Sequence, residues 1–359
     1  MTSTISSSRI TVAVVYGGRS SEHSVSCVSA GAIMSHLDPQ RYEVVPIGIT
    51  QDGAWVVGET DPEKLKTVDR VMPVVERREE VVLSVNPQTR GEFRTLSGQL
   101  HAKVDVIFPV LHGLNGEDGT IQGLFELSGI PYVGTGVLGS ACGMDKEYTK
   151  KLLSSVGLPV CQEVIVHGAR SLTDEEKQLL GLPVFVKPAR GGSSIGVSRV
   201  TRWEDLDAAI ATALENDTKV IVESEIIGKE VECGVLQYPD GRIVASTPAM
   251  LSDTDGGEEG FYGFDTKYLD DVVTAEIPAP LPVETISQVQ SMSVAAFQAL
   301  NCSGLARVDF FITHTGLVIN EINTLPGFTP ISMYPQVFAA SGVDYALLLS
   351  ILIDQALVK

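Results

Sequence analysis

The sequence has few basic residues, few aromatic residues and no long hydrophobic run. Lysine and arginine total 26 against 45 aspartates and glutamates, a formal net charge of −19, and aromatic residues make up 6%. Because an acidic surface repels phosphodiester backbones and anionic lipids, we expect neither nucleic acid nor membrane as a partner. The first eight residues are polar, and the apolar stretch 346–353 is interrupted by Ser350. The sequence therefore predicts neither a signal peptide nor a membrane span.

Cysteine is also scarce. The five cysteines are odd in number, widely scattered and never spaced as Cys-x-x-Cys, which is typical of reduced thiols in a cytoplasmic protein. No Gly-Lys-Ser or Gly-Lys-Thr occurs, so a P-loop is excluded, and the six histidines show no zinc-ligand spacing.

The first third of the chain has a strand–helix–strand pattern. Apolar, β-branched runs occupy residues 10–15, 42–49 and 104–110, and helical spacing of apolar residues covers 24–37. This order predicts a largely parallel sheet. Residues 52–99 have no clear period, and we interpret them as a hairpin or an insertion.

The rest of the 359-residue chain is predicted to contain further helices and strands in alternation. Helices are expected at 145–156, from a capping box at Thr201–Glu204 onward, at 283–301 and at the C-terminus, and strands at 184–187, 195–200, 306–312 and 317–322. We predict an α/β fold with three modules, bounded as 1–143, 144–233 and 234–359.

Two motifs favour other enzyme classes. Residues 134–139 match the dinucleotide-binding Gly-x-Gly-x-x-Gly pattern of a dehydrogenase, but the window about 20 residues on is a predicted helix rather than a second strand. Residues 192–196 match the serine hydrolase pattern centred on Ser194, but a strand rather than a helix is predicted to follow. We therefore prefer a tight strand–helix connection for the first motif and no hydrolase triad for the second.

The strongest chemical signal is a polar face on the last predicted hairpin. A turn near Thr315 sets Asp309 opposite Glu321, and alternation places Arg307 and Asn323 on the same face. Val308, Phe310, Ile312, Val318 and Ile322 would form the apolar face. Two carboxylates about 5 Å apart repel without a cation, and oxygen ligands select Mg²⁺ or Mn²⁺ over zinc. The hairpin therefore predicts a divalent metal site that a nucleotide's phosphates complete.

Two further segments are suited to a nucleotide. A strand ending at Lys187 runs into a Gly/Ser loop whose backbone N–H groups can surround phosphate. Glu223, with Glu230 seven residues on, supplies carboxylates at the end of a buried strand for an adenine amino group and ribose hydroxyls.

Taken in order, Lys146, the Lys187 loop, the Glu223 to Glu230 segment and the Asp309/Glu321/Asn323 hairpin resemble the ATP-grasp superfamily. Residues 17–22, 112–120, 266–268 and 321–327 resemble the D-alanine:D-alanine ligases in particular. The resemblance implies an ATP-grasp fold with an N-terminal parallel-sheet α/β domain, a central nucleotide-clamping α+β domain and a C-terminal α+β domain. It also implies ligation of two D-alanines through a D-alanyl phosphate.

The resemblance assigns roles by position. ATP would be held by Lys146, Lys187, Glu223, Glu230 and the loop residues Arg190, Gly191, Gly192 and Ser194, and two Mg²⁺ or Mn²⁺ ions by Asp309, Glu321 and Asn323. Glu22 would bind the ammonium of the first D-alanine in a set with Ser193 and Tyr268. Arg307 and the Gly327 N–H would form the oxyanion hole, and His112, Lys267 and Ser332 would bind substrate.

A Gly- and acid-rich stretch at 252–265 has the composition of a lid that ends at Lys267 and Tyr268. In the resembling family a tyrosine at position 268 accompanies an amine as second substrate, so we expect dipeptide synthesis. A homodimer and activation by a monovalent cation are further implied. The alternatives are another ATP-grasp carboxylate–amine ligase, a D-alanine:D-lactate ligase and a nucleotide-binding regulator without catalysis.

Overall fold

The computed structural model describes residues 9–192, 194–252 and 274–359. Its strands are β1 (Ile10–Gly17), β2 (Tyr42–Ile49), β3 (Trp55–Val57), β4 (Val81–Leu83), β5 (Glu92–Thr95), β6 (Leu100–Lys103), β7 (Val106–Val110), β8 (Glu163–His167), β9 (Val184–Pro188), β10 (Ser198–Val200), β11 (Lys219–Ser224), β12 (Lys229–Gln237), β13 (Ile243–Ala245), β14 (Ala249–Ser252), β15 (Thr274–Glu276), β16 (Leu305–Thr313) and β17 (Gly316–Asn323). Its helices are α1 (His23–His36), α2 (Thr120–Ser128), α3 (Val137–Met144), α4 (Lys146–Ser155), α5 (Asp174–Leu180), α6 (Leu206–Leu214), α7 (Val283–Ala299), α8 (Met333–Ala340) and α9 (Tyr345–Val358).

The N-terminal sheet has the order β3-β2-β1-β7, and β1 pairs in parallel with both β2 and β7. This confirms the predicted parallel sheet. Apolar residues of β1 alternate between two core clusters, one shared with α1, α8 and α9 and the other with α2. Because β1 and β7 are parallel, the loops that follow them, 18–22 and 111–119, leave the same edge of the sheet.

Residues 52–99 contain more structure than the sequence indicated. β3 extends the parallel sheet as an antiparallel edge, and β4, β5 and β6 form a separate three-stranded antiparallel sheet. The strands are only three or four residues long. Such short strands give too few alternations to reveal a period.

Two more sheets carry the nucleotide-like segments. One has the antiparallel order β10-β9-β11-β8, and the other has the order β15-β14-β12-β16-β17 with β13 paired to β12. The predicted module boundary at residue 233 falls within β12, which pairs with β16 along eight positions. The division into three modules stays a prediction.

Two predictions about local structure were wrong, and one helix was missed. The capping box at Thr201 does not form: Trp203–Asp205 is a 3₁₀ turn and α6 begins at Leu206. Of the predicted strand 195–200 only Ser198–Val200 is extended, because a turn with Gly196 at φ +73° precedes it. The predicted terminal helix is confirmed as α9, whereas α8, which precedes it across a left-handed Gly342, was not predicted.

In the described ranges no single helix is long and apolar enough to cross a bilayer. α8 and α9 reach the length and apolar content of a membrane span only when they are taken together, and the pair is bent by 104°. Their buried residues belong to the main core cluster.

Candidate active site

The β16–β17 hairpin has the predicted register at its polar end. Arg307 pairs with Asn323, and Asp309 pairs with Glu321. Arg307 donates from Nε and Nη2 to the two oxygens of Asp309, each at 2.7 Å, and Asn323 Nδ2 donates to Asp309 Oδ2 at 3.0 Å. The geometric expectation of a polar face containing these four residues is confirmed.

The apolar face differs from the prediction in one residue. A bulge separates the Asp309–Glu321 pair from the next pair, Phe310–Ile319, so Asn320 is the extra residue. Ile319 is therefore fully buried opposite Phe310, whereas Val318 is only partly buried. Strict alternation placed Val318 in the core because it could not anticipate the bulge.

Glu232 is a buried member of this face that the sequence did not indicate. It pairs with Asp309 across β12 and β16, and its Oε2 lies 3.0 Å from Arg307 Nε. Burial lowers the pKa of Arg307, but Asp309 and Glu232 outweigh burial and the pKa lies well above its ordinary value. Glu232, Asp309 and Glu321 thus form a row of carboxylates on three adjacent strands. Glu230 and Glu232 are two residues apart and therefore share one face of a strand, and this spacing was the sequence signal that could have indicated Glu232.

The polar face fits a hard divalent cation. Three carboxylates face one guanidinium, so the face has an excess of negative charge, and Asp309, Glu321 and Asn323 supply oxygen ligands. A cluster of three or more His, Cys, Asp or Glu residues arranged to hold a metal does not occur in the described part of the chain. The candidate ligand set is therefore two carboxylates with the Asn323 amide.

Lys146 connects the hairpin with the Gly/Ser loop. Its Nζ donates to the Gly191 carbonyl at 2.7 Å, and its backbone N–H donates to Ala189 at 3.0 Å. Burial lowers the pKa of Lys146, and the Glu321 carboxylate opposes that change. Asp145 anchors the start of α4 because it pairs with Lys219 at 2.6 Å. α4, which carries Lys146, also contacts β17, so the predicted phosphate loop and metal hairpin both contact the same helix.

The Gly/Ser loop begins at Arg190, whose guanidinium is paired with a carboxylate and so anchors the loop. Arg190 donates its backbone N–H to Asp217 at 2.8 Å, and its guanidinium contacts the same carboxylate at 2.6 Å. Gly191 and Gly192 follow in irregular backbone, and Ser194 has a left-handed φ of +58°. No helix follows Ser194 in the described chain before α6, so the strand–turn–helix context of a serine hydrolase is not formed there. Ser193 lies outside the described residues.

Glu223 lies between two lysines at the end of β11. Lys187 Nζ is 2.5 Å from Glu223 Oε2, and Lys150 donates to Glu223 Oε1. Burial raises the pKa of Glu223, but the two lysines outweigh it and bring the pKa to about 2. Lys150 also donates to Cys161 at 2.6 Å and lies 3.5 Å from Glu163. Both oxygens of Glu223 therefore contact lysines in this structure, whereas the sequence suggested an adenine amino group.

The predicted ribose ligand Glu230 lies on β12, one alternation before Glu232, and is partly buried. Its position opposite Phe311 places it on the same face of the sheet as Asp309.

Glu22 lies between two glycine loops. A Cβ added to Gly113 or to Gly192 would be 3.4 Å from Glu22 Oε2, so the carboxylate reaches both the loop after β7 and the Gly/Ser loop. His112 donates from Nδ1 to the Leu325 carbonyl at 3.2 Å, and its buried Nε2 has no hydrogen-bond partner among the described residues. Burial lowers the pKa of His112, and Glu22 opposes this change.

Glu117 is a second carboxylate that sequence reasoning did not select. Burial, together with the negative charges of Glu22 and Glu321, raises its pKa to about 8, although it accepts the Gly113 N–H at 2.7 Å. The only signal was its place in the motif 112–120.

Gly327 and Ser332 lie at the entrance to α8. A Cβ on Gly327 would be 2.9 Å from Ser332 Oγ, and Ser332 Oγ accepts the Thr329 N–H at 3.0 Å. Ser332 is the residue before the first turn of α8, so backbone N–H groups and the positive end of the helix dipole are close to it. This arrangement suits a carboxylate.

Three predicted site residues and the proposed lid cannot be placed. Lys267, Tyr268 and residues 253–265 lie outside the described residues, as does Ser193.

Comparison with known proteins gives consistent matches over nearly the whole chain. The family model "D-ala D-ala ligase N-terminus" matches residues 11–135, and "D-ala D-ala ligase C-terminus" matches residues 152–354. A D-alanine–D-alanine ligase of Corynebacterium diphtheriae is 70% identical over 351 residues, which is 98% of this chain and 96% of that protein.

Solved structures agree with these matches. VanG, a D-Ala:D-Ser ligase from Enterococcus faecalis, aligns with a TM-score of 0.83 and 36% identity over 97% of this chain and 100% of that chain. A D-alanine–D-alanine ligase from Bacillus anthracis, complexed with ATP, aligns with a TM-score of 0.72 and 29% identity over 97% of both chains.

Proposed function

We propose, from the premise that this chain belongs to the D-alanine–D-alanine ligase family, that the residues gathered around the β16–β17 hairpin carry out its reaction. Two family models and a relative with 70% identity show the membership. The fold is therefore an ATP-grasp fold, and the chain is an ATP-dependent ligase that joins two D-alanines to supply peptidoglycan synthesis.

One observation supports this placement of the reaction. Lys146 contacts the Gly191 carbonyl, and its helix α4 contacts β17, which supports placing the proposed phosphate-binding and metal-binding residues in one site. Lys146 and Lys187 would bind ATP phosphates, the Gly191, Gly192 and Ser194 backbone would close over them, and Glu230 would bind the ribose. Asp309, Glu321 and Asn323 would hold two Mg²⁺ or Mn²⁺ ions. When bound, such ions neutralise the charge of the triphosphate.

The substrate residues surround the same site. We assign Glu22 to the ammonium of the first D-alanine and His112 to the same substrate through its unpartnered Nε2. The carboxylate of that D-alanine attacks the γ-phosphorus of ATP, ADP leaves, and a D-alanyl phosphate results. The amine of the second D-alanine, whose carboxylate Ser332 binds, then attacks the carbonyl carbon, and phosphate leaves with the bridging oxygen.

Arg307 and the Gly327 N–H would stabilise the oxyanion of that tetrahedral intermediate. Asp309 and Glu232 fix the guanidinium in place before substrate arrives. Arg190 is assigned to the loop by anchoring it to Asp217 rather than by contacting phosphate. Ser193, Lys267 and Tyr268 keep their assigned roles with Glu22 and substrate as proposals from family membership.

The finer assignments rest on family membership as well. They are a homodimer, activation by a monovalent cation, a cytoplasmic location and a lid that excludes water from the acyl phosphate. The module boundaries at residues 143 and 233 rest on the sequence pattern and stay a proposal.

A substrate panel tests the proposed reaction. The chain is incubated with ATP, Mg²⁺ and single amino acids, and ADP formation is measured with the mass of the product. We expect ADP and D-alanyl-D-alanine only when D-alanine, ATP and Mg²⁺ are present together. Comparable turnover of L-alanine would contradict the assignment. A mixed product from D-alanine with D-serine or D-lactate, in place of the dipeptide, would favour the alternative second substrate.

A further inference from the structure

His23, which follows Glu22 directly, joins two distant segments through both ring nitrogens. Its side chain is buried, Nδ1 is 2.6 Å from the Gly18 carbonyl, and Nε2 accepts the Val75 N–H at 2.9 Å. Since Nε2 accepts a hydrogen bond, the ring proton is on Nδ1, which donates to Gly18. His23 thus holds the Glu22 loop and a segment 52 residues further along the chain in one arrangement.

That segment, residues 68–77, is called the strap here. A Cβ on Gly17 would be 2.7 Å from a Val75 methyl group, and a Cβ on Gly48 would be 2.6 Å from the other. Val75 therefore packs directly on the backbone of β1 and β2 where these strands end. Arg77 anchors the far side of the strap through ion pairs with Asp52 at 2.8 Å and Glu80 at 2.9 Å.

The Glu22 side chain makes no hydrogen bond to the first turn of α1 that would orient it. Glu22 is the residue before the first turn of α1, but its carboxylate makes no capping hydrogen bond to that helix. Its backbone is held instead, because Glu22 N–H donates to Ser20 Oγ at 3.0 Å and His23 N–H donates to the Ser20 carbonyl at 3.2 Å. The carboxylate can therefore aim at substrate only if the loop 18–22 is fixed.

We propose that His23 is a positioning residue for D-alanine: it clasps the strap to the loop 18–22 and so holds Glu22 ready for the substrate ammonium. The inference rests on the proposed role of Glu22. Fixing the loop in advance removes an ordering cost from substrate binding, so the clasp contributes to affinity for the first D-alanine and not to ATP binding.

Two substitutions of His23 each remove one of its two hydrogen bonds, to the Gly18 carbonyl or to the Val75 N–H. His23→Asn keeps a donor near the Nδ1 position for Gly18 but does not reach Val75, and His23→Gln keeps an acceptor near Nε2 for Val75. We expect each to raise the Michaelis constant of the first D-alanine about 10- to 100-fold, with that of ATP within about twofold.

Val75→Ala, which keeps the N–H but removes the methyl groups between Gly17 and Gly48, should also raise the Michaelis constant of the first D-alanine. His314→Asn, in the exposed hairpin turn, is the control and should be neutral.

Hydrogen exchange gives a readout that simple destabilisation does not reproduce. In the unmodified chain, saturating D-alanine should slow exchange in the strap, because two coupled sites stabilise each other. In His23→Asn that effect of D-alanine should be lost. Unchanged D-alanine constants in both His23 variants, or strap exchange that ignores D-alanine, would overturn the clasp.

Glu22→Gln separates this inference from the proposed function. If Glu22→Gln raises the D-alanine constant and the His23 variants do not, the clasp alone fails. If Glu22→Gln is itself without effect, the assignment of Glu22 fails and the clasp fails with it.

Discussion

Arg307 contacts carboxylates from two strands, Asp309 on its own strand and Glu232 on β12. A guanidinium can satisfy both because its donors form a planar fork, whereas an ammonium is a single compact charge. Glu232 would therefore keep Arg307 oriented if Asp309 bound a metal ion as proposed.

Replacing that fork tests the residue directly. Arg307→Lys keeps the charge but loses the paired contacts, so we expect kcat to fall roughly 10²- to 10³-fold, as for loss of an oxyanion donor. Steady-state kinetics with D-alanine and ATP measure this. Arg242→Lys, in an exposed ion pair with Asp240, is the matched control and should leave kcat unchanged. An equal loss in both variants would argue against a special role for Arg307.

Glu117 predicts a pH dependence of stability. Its pKa is about 8 in the folded chain against an ordinary 4.5, so between these pH values the folded state binds more protons than the unfolded state. Stability should therefore fall as pH rises from about 5 to 8, on the order of a few kcal/mol for this group.

Glu117→Gln, which cannot ionise, should flatten this fall, and denaturant unfolding at pH 5, 6.5 and 8 in substrate-free protein measures it. Glu204→Gln, an exposed carboxyl change, should retain the slope of the unmodified chain. A variant of Glu117 with the full slope would show that this carboxyl is not its source.

The sequence could predict the part of the site whose residues are close to one another along the chain. Asp309 and Glu321 are close in the chain and alternate on a hairpin, so period-two reasoning placed them correctly. Glu232 reaches Arg307, which is 75 residues away in the chain, only through strand pairing, and Lys150 reaches Glu223 through packing of a helix against a sheet. Such contacts depend on tertiary packing that a single sequence does not reveal.

At the scale of elements, close packing of α8 on β12 places Ser332 beside Gly327. A Cβ on Gly234 would lie 2.7 Å from the Phe338 ring, so β12 and α8 approach each other only because residue 234 lacks a side chain. Phe338 is fully buried in the main core cluster. The helix that presents Ser332 therefore depends on a glycine on another element.

Gly234→Ala should force α8 outward, destabilise the fold by about 1–3 kcal/mol and raise the Michaelis constant of the second D-alanine. Gly123→Ala, at a helical position of α2 with open space around it, should be neutral or slightly stabilising. Thermal unfolding and kinetics on both variants check this. Full stability in Gly234→Ala would show that α8 is not held in this way.

Element boundaries were predictable where the pattern was long. β2 and β16 to β17 were placed within one or two residues because apolar alternation or β-branched runs fix them. The terminal helix α9 was predicted, but α8 was missed because both segments are rich in apolar residues and only Gly342 marks the break between them. Local propensity could not show that the chain turns there.

For the whole molecule, the formal charge of −19 is at first sight unsuited to a triphosphate ligand. The fold nevertheless brings three lysines from α4 and β9 close to Glu223 and the Gly/Ser loop. They are Lys146, Lys150 and Lys187. The local field at the site is thus set by a few lysines, of which Lys150 is buried and the other two partly buried, and not by the net charge.

If a D-alanine carboxylate is activated by the γ-phosphate of ATP at this site, the phosphate that is released must carry an oxygen atom of D-alanine. The most direct measurement uses D-alanine labelled with ¹⁸O in both carboxylate oxygens, together with ATP and Mg²⁺, and determines the mass of the released phosphate. The account predicts one ¹⁸O atom in each phosphate, because the bridging oxygen of the acyl phosphate comes from D-alanine. Phosphate released without ¹⁸O while the dipeptide forms would contradict it.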